Sequence, residues 1–393
     1  MKQALVLIIA AAAQCFLSPA LLAQDNGSAF DADSFFGSAA SGSSVSGDAG
    51  EPAGAPGPIY LGSYERPTGL SFTGEASADL IYVITEPFSA AERTGSYRGL
   101  SGLRIDALGG DRNTAKLEAS ALAGMLYSDA AQEGLLSFEL KKLYLSVHTP
   151  RADLSVGRMI INYGRGTAFS PVDLFSSLDT SGLKLGRTGS DALRVLVPLS
   201  DFSGIDAVAG IAGAPELGIA GLRHYGNALG VDYGLSAFRD GSRGGDGELV
   251  LGLDLKGDLE LGISAEALAR LPFDGLRLDG AQAVYSLMFG LDYSIGGRWF
   301  FDLEGLWNIR AGNAEAAGAF SQRAHGFASL SWKPDELNAL DLRGFYASDG
   351  STQVMMSAAR DIAAGASLAA YAQYASLSSG ESIAIGARLS VAY

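Results

Sequence analysis

Four charged side chains stand in or beside one irregular stretch of the chain: Arg158, Arg165, Asp173 and Arg187. Guanidinium groups that face carboxylates across a narrow passage create a transverse electric field, which screens solutes by size and charge. The stretch 162–190 is too irregular for a strand and too long for a hairpin, and such loops in compact domains are usually functional or disordered. We predict that it folds inward and narrows the space that its neighbours enclose. The alternative is an external loop whose arginines are solvated.

Residues with catalytic or metal-binding potential are few. The histidines are His148, His224 and His325, and none has an HxxxH or HExxH spacing, so the sequence predicts no metal site. Ser329 or Asp341 could be imagined as a partner of His325 in a hydrolase, but no spacing singles them out. We therefore predict a protein that is not an enzyme and has no catalytic residues and no cofactor. A hydrolase would instead require turnover that is lost when His325 is changed.

The elements that must position the charged side chains are strands. Successive side chains of a strand point to opposite faces, so a period of two gives one apolar face and one polar face. In the segment 70–82, one face carries Leu70, Phe72, Ala76, Ala78, Leu80 and Tyr82, and the other carries Ser71, Thr73, Glu75, Ser77 and Asp79. The same pattern recurs in the segments 115–125, 249–256, 281–293 and 299–310. A tilted strand of about 9–11 residues crosses a bilayer, and these segments are long enough.

The composition of the two faces separates a membrane fold from a soluble one. A soluble sandwich would have large aliphatic side chains inside and Lys-rich edges, whereas the polar faces here are small and acidic. Tyr and Trp recur near segment ends, as in the aromatic girdles of membrane barrels: Tyr82, Tyr127, Tyr144, Tyr293, Trp299, Trp332, Tyr346 and Tyr374. We predict an all-β fold, a transmembrane antiparallel up-and-down β-barrel. It should have about 16 strands (roughly 14–18), enough for an aqueous lumen.

The N-terminal part has the features of an export signal followed by a tail. Lys2 precedes an apolar run and Leu21-Leu22-Ala23 is a plausible cleavage site, which predicts a signal peptide over residues 1–23. The single cysteine, Cys15, is a poor match to a lipidation site. Residues 24–58 are rich in Gly, Ala and Ser with acidic residues between them, which predicts a disordered periplasmic tail. The barrel then occupies residues 59–393.

The last strand ends in a pattern of its own. Ile383, Ile385, Ala387, Leu389, Val391 and Tyr393 are spaced by two and end on an aromatic residue. This resembles the terminal strand of bacterial outer-membrane barrels, which the barrel assembly machinery reads. The resemblance implies location in the bacterial outer membrane and makes Tyr393 the candidate assembly signal.

A second pattern surrounds the irregular stretch. Gly157-Arg158 closes one strand, Tyr163-Gly164-Arg165-Gly166 follows, and Ser170-Pro171-Val172-Asp173 begins the next element. The pattern resembles a motif of porin-like outer-membrane barrels, with departures at Met159, where Gln is common, and at Tyr163, where Trp is common. It covers about 20 residues, so it implies the class of protein and no particular solute. Within that class we predict a pore constriction formed by the loop 162–190 with Arg158, Arg165, Asp173 and Arg187.

Charge narrows the range of functions and partners. The formal net charge is −15 and basic patches are absent, so the composition predicts no nucleic-acid partner. Many acids lie on polar faces, and an acidic lumen favours cations, although acidic external loops would give the same composition. We predict passive diffusion of small hydrophilic solutes, with outer-membrane lipids and the assembly machinery as further partners and a homo-oligomer as an option. The alternatives are a structural or surface-binding barrel and a transporter of hydrophobic substrates.

Overall fold

A computed structural model describes residues 70–393, except 90, 112–113, 130–131, 177, 180–185, 214–216, 243–245, 259, 276, 311–319 and 378–379. The predicted signal peptide (1–23) and acidic tail (24–58) lie outside the described residues. Within the described residues, no helix is both long enough and apolar enough to cross a membrane.

The described residues form a closed barrel of eighteen antiparallel strands. Each strand pairs with its neighbours in the chain, and β1 pairs with β18 to close the ring. The strands are β1 Ser71–Thr85, β2 Thr94–Asp111, β3 Ala115–Ser128, β4 Glu133–His148, β5 Asp153–Met159, β6 Ser190–Ser200, β7 Ser203–Gly210, β8 Ile219–Ala228, β9 Val231–Asp240, β10 Glu248–Asp258, β11 Gly262–Asp274, β12 Val284–Ile295, β13 Trp299–Arg310, β14 Ala324–Trp332, β15 Asn338–Ala347, β16 Thr352–Ala363, β17 Ala366–Leu377 and β18 Gly380–Ala392.

The barrel confirms the predicted fold class, and its strand number lies at the upper end of the predicted range. Short strands such as β5, with 7 residues, and β7, with 8, carry too few alternations to be counted securely from sequence. Closure satisfies the backbone groups of both terminal strands, because every polar backbone group in lipid needs a partner within the protein. Two short pairings lie outside the wall: Leu178–Asp179 with Gly186–Arg187, and Arg277–Leu278 with the end of β11.

The two ends of the barrel differ in the length of their connections. We call one the turn rim, because it holds the connections 112–114, 149–152, 201–202, 229–230, 259–261, 296–298, 333–337 and 364–365. The other is the loop rim, with the connections 86–93, 129–132, 160–189, 211–218, 241–247, 275–283, 311–323, 348–351 and 378–379. In outer-membrane barrels the periplasmic turns are short and the extracellular loops longer, and the turn rim has the shorter connections.

The alternation predicted from the sequence separates an apolar outer face from a polar inner face. Leu80 is 64% exposed on the outside, whereas its neighbour Asp79 is 7% exposed and faces the lumen. Outer aromatic rings lie near both rims: the rings of Trp299 and Trp332 stack at the turn rim with centroids 5.1 Å apart, and those of Tyr82 and Tyr97 lie 4.6 Å apart at the loop rim. Tyr144 departs from the predicted girdle: it faces the lumen and donates a hydrogen bond of 2.7 Å to a carboxylate on β3.

Candidate functional site: a loop inside the barrel

The connection 160–189, here called the lumen loop, leaves the loop rim and enters the barrel. Its contacts are with inward-facing side chains, and the first of these is Glu266 on β11. This carboxylate accepts hydrogen bonds from the backbone N–H groups of Arg165, Gly166 and Val172 and from the hydroxyl of Ser170. A buried loop must satisfy its own backbone polar groups. One wall carboxylate satisfies three of them here.

A second carboxylate, that of Glu304 on β13, holds the adjoining part of the loop. It accepts hydrogen bonds from the backbone N–H groups of Thr167, Ala168 (3.0 Å) and Phe169 (2.7 Å). Hydrogen bonds to an ionised acceptor are about twice as strong as neutral ones. Both carboxylates are almost fully buried, at 3% exposure each. They therefore fix the loop backbone at two adjacent points of the wall.

A charge network joins the loop to the wall beside these two acids. Arg165 donates to Asp254 at 2.7 Å, and Arg223 on β8 donates to the same carboxylate at 2.8 Å. The Arg223 guanidinium lies 5.0 Å from the centre of the Tyr163 ring, within cation–π range. A Cβ at position 234 would collide with both members of the Arg223–Asp254 pair, so Gly234 provides the room that the pair needs.

Inside the loop, Asp173 closes a tight turn. Its backbone N–H donates to the Ser170 carbonyl at 3.2 Å, and its carboxylate accepts hydrogen bonds from the Ser176 hydroxyl and the Arg187 guanidinium. Arg187 also reaches the Gly166 carbonyl at 3.4 Å. The side chains of Asp173 and Arg187 are 1% and 13% exposed. The structure thus pairs Asp173 with Arg187 within the loop, which ties the middle of the loop to its C-terminal part.

Apolar side chains of the loop pack against the wall in two clusters. The first is centred on Tyr163 and Phe175, whose rings lie 6.1 and 5.5 Å from that of Phe238 on β9. Its buried members are Met159, Ile161, Tyr163, Val172, Phe175, Ala192, Val208, Phe238, Val250 and Leu268. The wall members of this cluster come from β5, β6, β7, β9, β10 and β11. The polar lumen thus contains a local apolar core, and the loop supplies four of its ten buried residues.

The second cluster forms around Phe169, which is completely buried. Its ring contacts Phe320, Phe327 and Phe345 with centroids 4.8 to 6.4 Å apart. Met288 and Leu306 complete the cluster with Ala168. Phe327 lies on β14, nine strands from β5, which is the opposite side of an eighteen-strand ring. The loop therefore follows half of the circumference.

Two other residues named in the sequence analysis are held in structural contacts. Arg158 pairs with Asp191 across the β5–β6 ladder, on the strand face that carries the exposed Leu154 and Val156; the two side chains are 33% and 44% exposed. His325 lies in the second apolar cluster, with its ring 5.9 Å from that of Phe169. Among the residues that the structure describes, no group of three or more His, Cys, Asp or Glu could hold a metal ion.

The other half of the lumen, here called the open sector, has polar side chains around its cavities and a small apolar cluster of Ile81, Val83, Tyr371 and Ala384 toward the loop rim. It is lined by β14–β18 and β1–β3 and contains a cavity of about 470 Å³. Its charged side chains are Glu75, Lys333, Asp341, Arg343, Asp361 and Arg388, with Asp335 and Glu336 at the turn rim. Arg388 donates to Asp79 at 2.6 Å. The loop thus covers one half of the wall and leaves the other half accessible.

Comparison with solved structures gives the same barrel. Pseudomonas aeruginosa OccK5 (OpdH) matches with a TM-score of 0.55 at 10% identity, over 83% of this chain and 97% of that one. Acinetobacter baumannii OccAB4 matches with a TM-score of 0.52 at 11% identity, over 83% and 99%. Pseudomonas aeruginosa OpdK, solved with vanillate, matches with a TM-score of 0.52 at 11% identity, over 82% and 98%.

These neighbours are bacterial outer-membrane porins, and the present chain has their fold. No family model matches the sequence, and none of the curated proteins matches it either.

Proposed function

We propose that the protein is a channel for passive diffusion of small hydrophilic solutes across the outer membrane, with the lumen loop as its constriction. The observation that carries the proposal is the attachment of the loop to half of the inner wall. Glu266 and Glu304 hold its backbone, and two apolar clusters hold its side chains. A lumen that was only a scaffold would not need a fixed internal loop beside a polar, accessible half.

Passage in this mechanism runs through the open sector. The loop narrows the cross-section, which sets the size limit, and the charges of the wall act on solutes at close range. We propose that Arg165 and the Asp173–Arg187 pair shape the loop side of this passage. Arg158 points away from the lumen and has no part in the proposed constriction.

A mild preference for cations belongs to the same proposal. Asp335 and Glu336 at the turn rim add negative charge to the mouth of the open sector, where bases and acids are otherwise balanced. Asp254, Glu266 and Glu304 contribute less, because they are hydrogen-bonded to the loop or to Arg223. The reversal potential in a potassium chloride gradient measures this preference, and an anion-selective potential contradicts it.

Deletion of residues 165–187 tests the constriction. We expect higher single-channel conductance in planar bilayers and passage of larger neutral solutes, because the loop no longer narrows the lumen along half of its wall. A deletion within the connection 211–218, on the same rim, is the matched control and should leave conductance unchanged. Heat-modifiable gel migration shows whether both variants fold. Unchanged conductance in a folded loop deletion, or a wild-type barrel that does not conduct, contradicts the proposal.

We also propose that Tyr393 is the assembly signal. Its backbone exchanges two hydrogen bonds of 3.0 Å with Gly74 where the barrel closes, and its ring covers Gly74. Tyr393→Phe should assemble in cells as the wild type does, whereas Tyr393→Ser should accumulate outside the membrane yet still refold from urea in detergent. Equal membrane levels for the two variants contradict the signal, and failure of Tyr393→Ser to refold indicates a purely structural role.

A further inference from the structure

The open sector contains three adjoining cavities that meet at one residue. Cavities of about 470, 600 and 110 Å³ are all lined by Glu75. Arg388 lines the first and the third of them. A solute in any of the three cavities therefore lies beside Glu75, and a solute in the first or the third lies beside Arg388 as well.

Charges of both signs alternate around this part of the wall. Proceeding from strand to strand, Asp341 and Arg343 lie on β15, Asp361 on β16, Arg388 on β18 and Glu75 on β1. Asp341 and Arg343 are two positions apart on one strand, so both face the lumen. Neither sign forms a continuous patch.

Hydroxyl groups separate the charges. Ser329, Ser357, Ser367 and Ser390 line the same cavity, and the register places Ser329 directly opposite Arg343. The volume of about 470 Å³ lies in the range of small-molecule sites, which is about 300–1,000 Å³. The wall thus offers donors, acceptors and both charges within one solute-sized space.

We propose that the open sector transiently binds small solutes that carry both a carboxylate and an ammonium group, and passes them faster than solutes of equal size with one charge. A solute with both groups pairs with a guanidinium and with a carboxylate of the wall at once. A solute with one charge meets a like charge beside each attractive one, which cancels much of the gain. Binding must stay weak for conduction, and a wall whose charges alternate in sign binds neither cations nor anions tightly.

The inference rests on the proposed channel function, and a series of three-carbon solutes tests the two separately. L-serine carries both charges, D-glycerate one negative charge, serinol one positive charge, and glycerol none. Their fluxes are measured at pH 7 into lipid vesicles that contain the refolded full-length chain, with protein-free vesicles as the blank. We expect L-serine to enter about fivefold faster than D-glycerate and serinol, the size of effect that one charge contact at about 4 Å in water produces.

Two substitutions show whether the wall charges cause this ranking. Glu75→Gln should lower the flux of L-serine and serinol and raise that of D-glycerate. Arg343→Gln should raise the flux of serinol and lower that of D-glycerate. Glu92→Gln, on the loop rim, is the matched control and should change no flux. If Arg343→Gln fails to fold, Glu75→Gln alone decides, because its side chain is only half-buried.

The outcomes separate the inference from the function on which it rests. Protein-dependent entry of glycerol with L-serine no faster than D-glycerate or serinol overturns the inference and leaves the channel in place. An unchanged ranking in Glu75→Gln overturns it as well. Absence of protein-dependent flux for all four solutes overturns the channel proposal itself.

Discussion

Two groups of wall strands alternate apolar and polar residues in the same way: β7–β13, and β16–β18 with β1–β3. The inward side chains of the two groups nevertheless have different contacts. In the first group, the carboxylates of Glu266 and Glu304 point at the loop and accept hydrogen bonds from its backbone N–H groups. In the second group, carboxylates such as Glu75 line accessible cavities. The same residue type at the same inward position thus anchors the loop on one side and faces the passage on the other.

The inward apolar residues also differ between the two sides of the lumen. On the loop-covered side, Val208, Phe238, Val250 and Leu268 are almost inaccessible, and they give the loop an apolar surface to pack on. β14 and β15 belong to both halves: Phe327 and Phe345 contact the loop tip, whereas Arg343 lines the cavity below. The inward apolar residues of the loop-covered side thus pack on the loop, whereas the inward apolar cluster of the other side, Ile81, Val83, Tyr371 and Ala384, contains no residue of the lumen loop.

The largest effect should come from the loop tip. Phe169→Ala removes a fully buried ring from four aromatic neighbours, which should weaken attachment of the tip by about 3–5 kcal/mol. We expect higher and noisier single-channel conductance and protease cleavage within the lumen loop. Phe301→Ala, on the outer face of β13, is the matched control and should leave both unchanged. A quiet, wild-type conductance in Phe169→Ala would mean that the tip is held by its backbone alone.

A smaller effect should distinguish the two anchoring carboxylates. Glu304→Gln removes a charged acceptor and should weaken the local attachment by about 1.5–3 kcal/mol. Hydrogen–deuterium exchange should then speed up at residues 167–169 and stay slow at Arg165, Gly166 and Val172. Glu266→Gln should give the opposite pattern, so each variant is the control of the other. Equal acceleration across the whole loop in both variants would contradict two separate anchor points.

Much of the fold follows from period-two alternation, because lipid on one side and water on the other impose it on every strand. The alternation places Leu80 outside and Asp79 inside without further information. The alternation cannot show which inward acids are hydrogen-bonded to another segment, because Glu266 and Glu304 stand in the same alternating pattern as Glu75. That assignment depends on where the loop lies, which is a long-range contact.

The candidate site could be predicted only at the level of its segment. Gly and Pro residues indicate that 162–190 is not a strand, and Asp173 with Arg187 was named among the charged residues of the site. Arg158 was named with them, but position 158 follows Gly157, and the alternation of β5 directs its side chain outward. Phe169 was missed, because a single aromatic residue in a loop carries no periodic signal. Only the apolar inward residues of the wall, such as Phe327, could have indicated where it packs.

The smallest effect should come from two arginines that each form an ion pair, Arg165 in the lumen loop and Arg158 at the loop rim. Arg165→Gln leaves Asp254 paired with Arg223, so the free energy of unfolding should fall by about 1–2 kcal/mol while the reversal potential becomes more cation-selective. Arg158→Gln breaks a pair that is one-third exposed or more, which should cost at most about 1 kcal/mol and leave the reversal potential unchanged. Urea unfolding in lipid vesicles and planar-bilayer recordings measure the two quantities. A shift of the reversal potential in Arg158→Gln as large as that in Arg165→Gln would place the selective charges at the rim and remove the distinction between the two arginines.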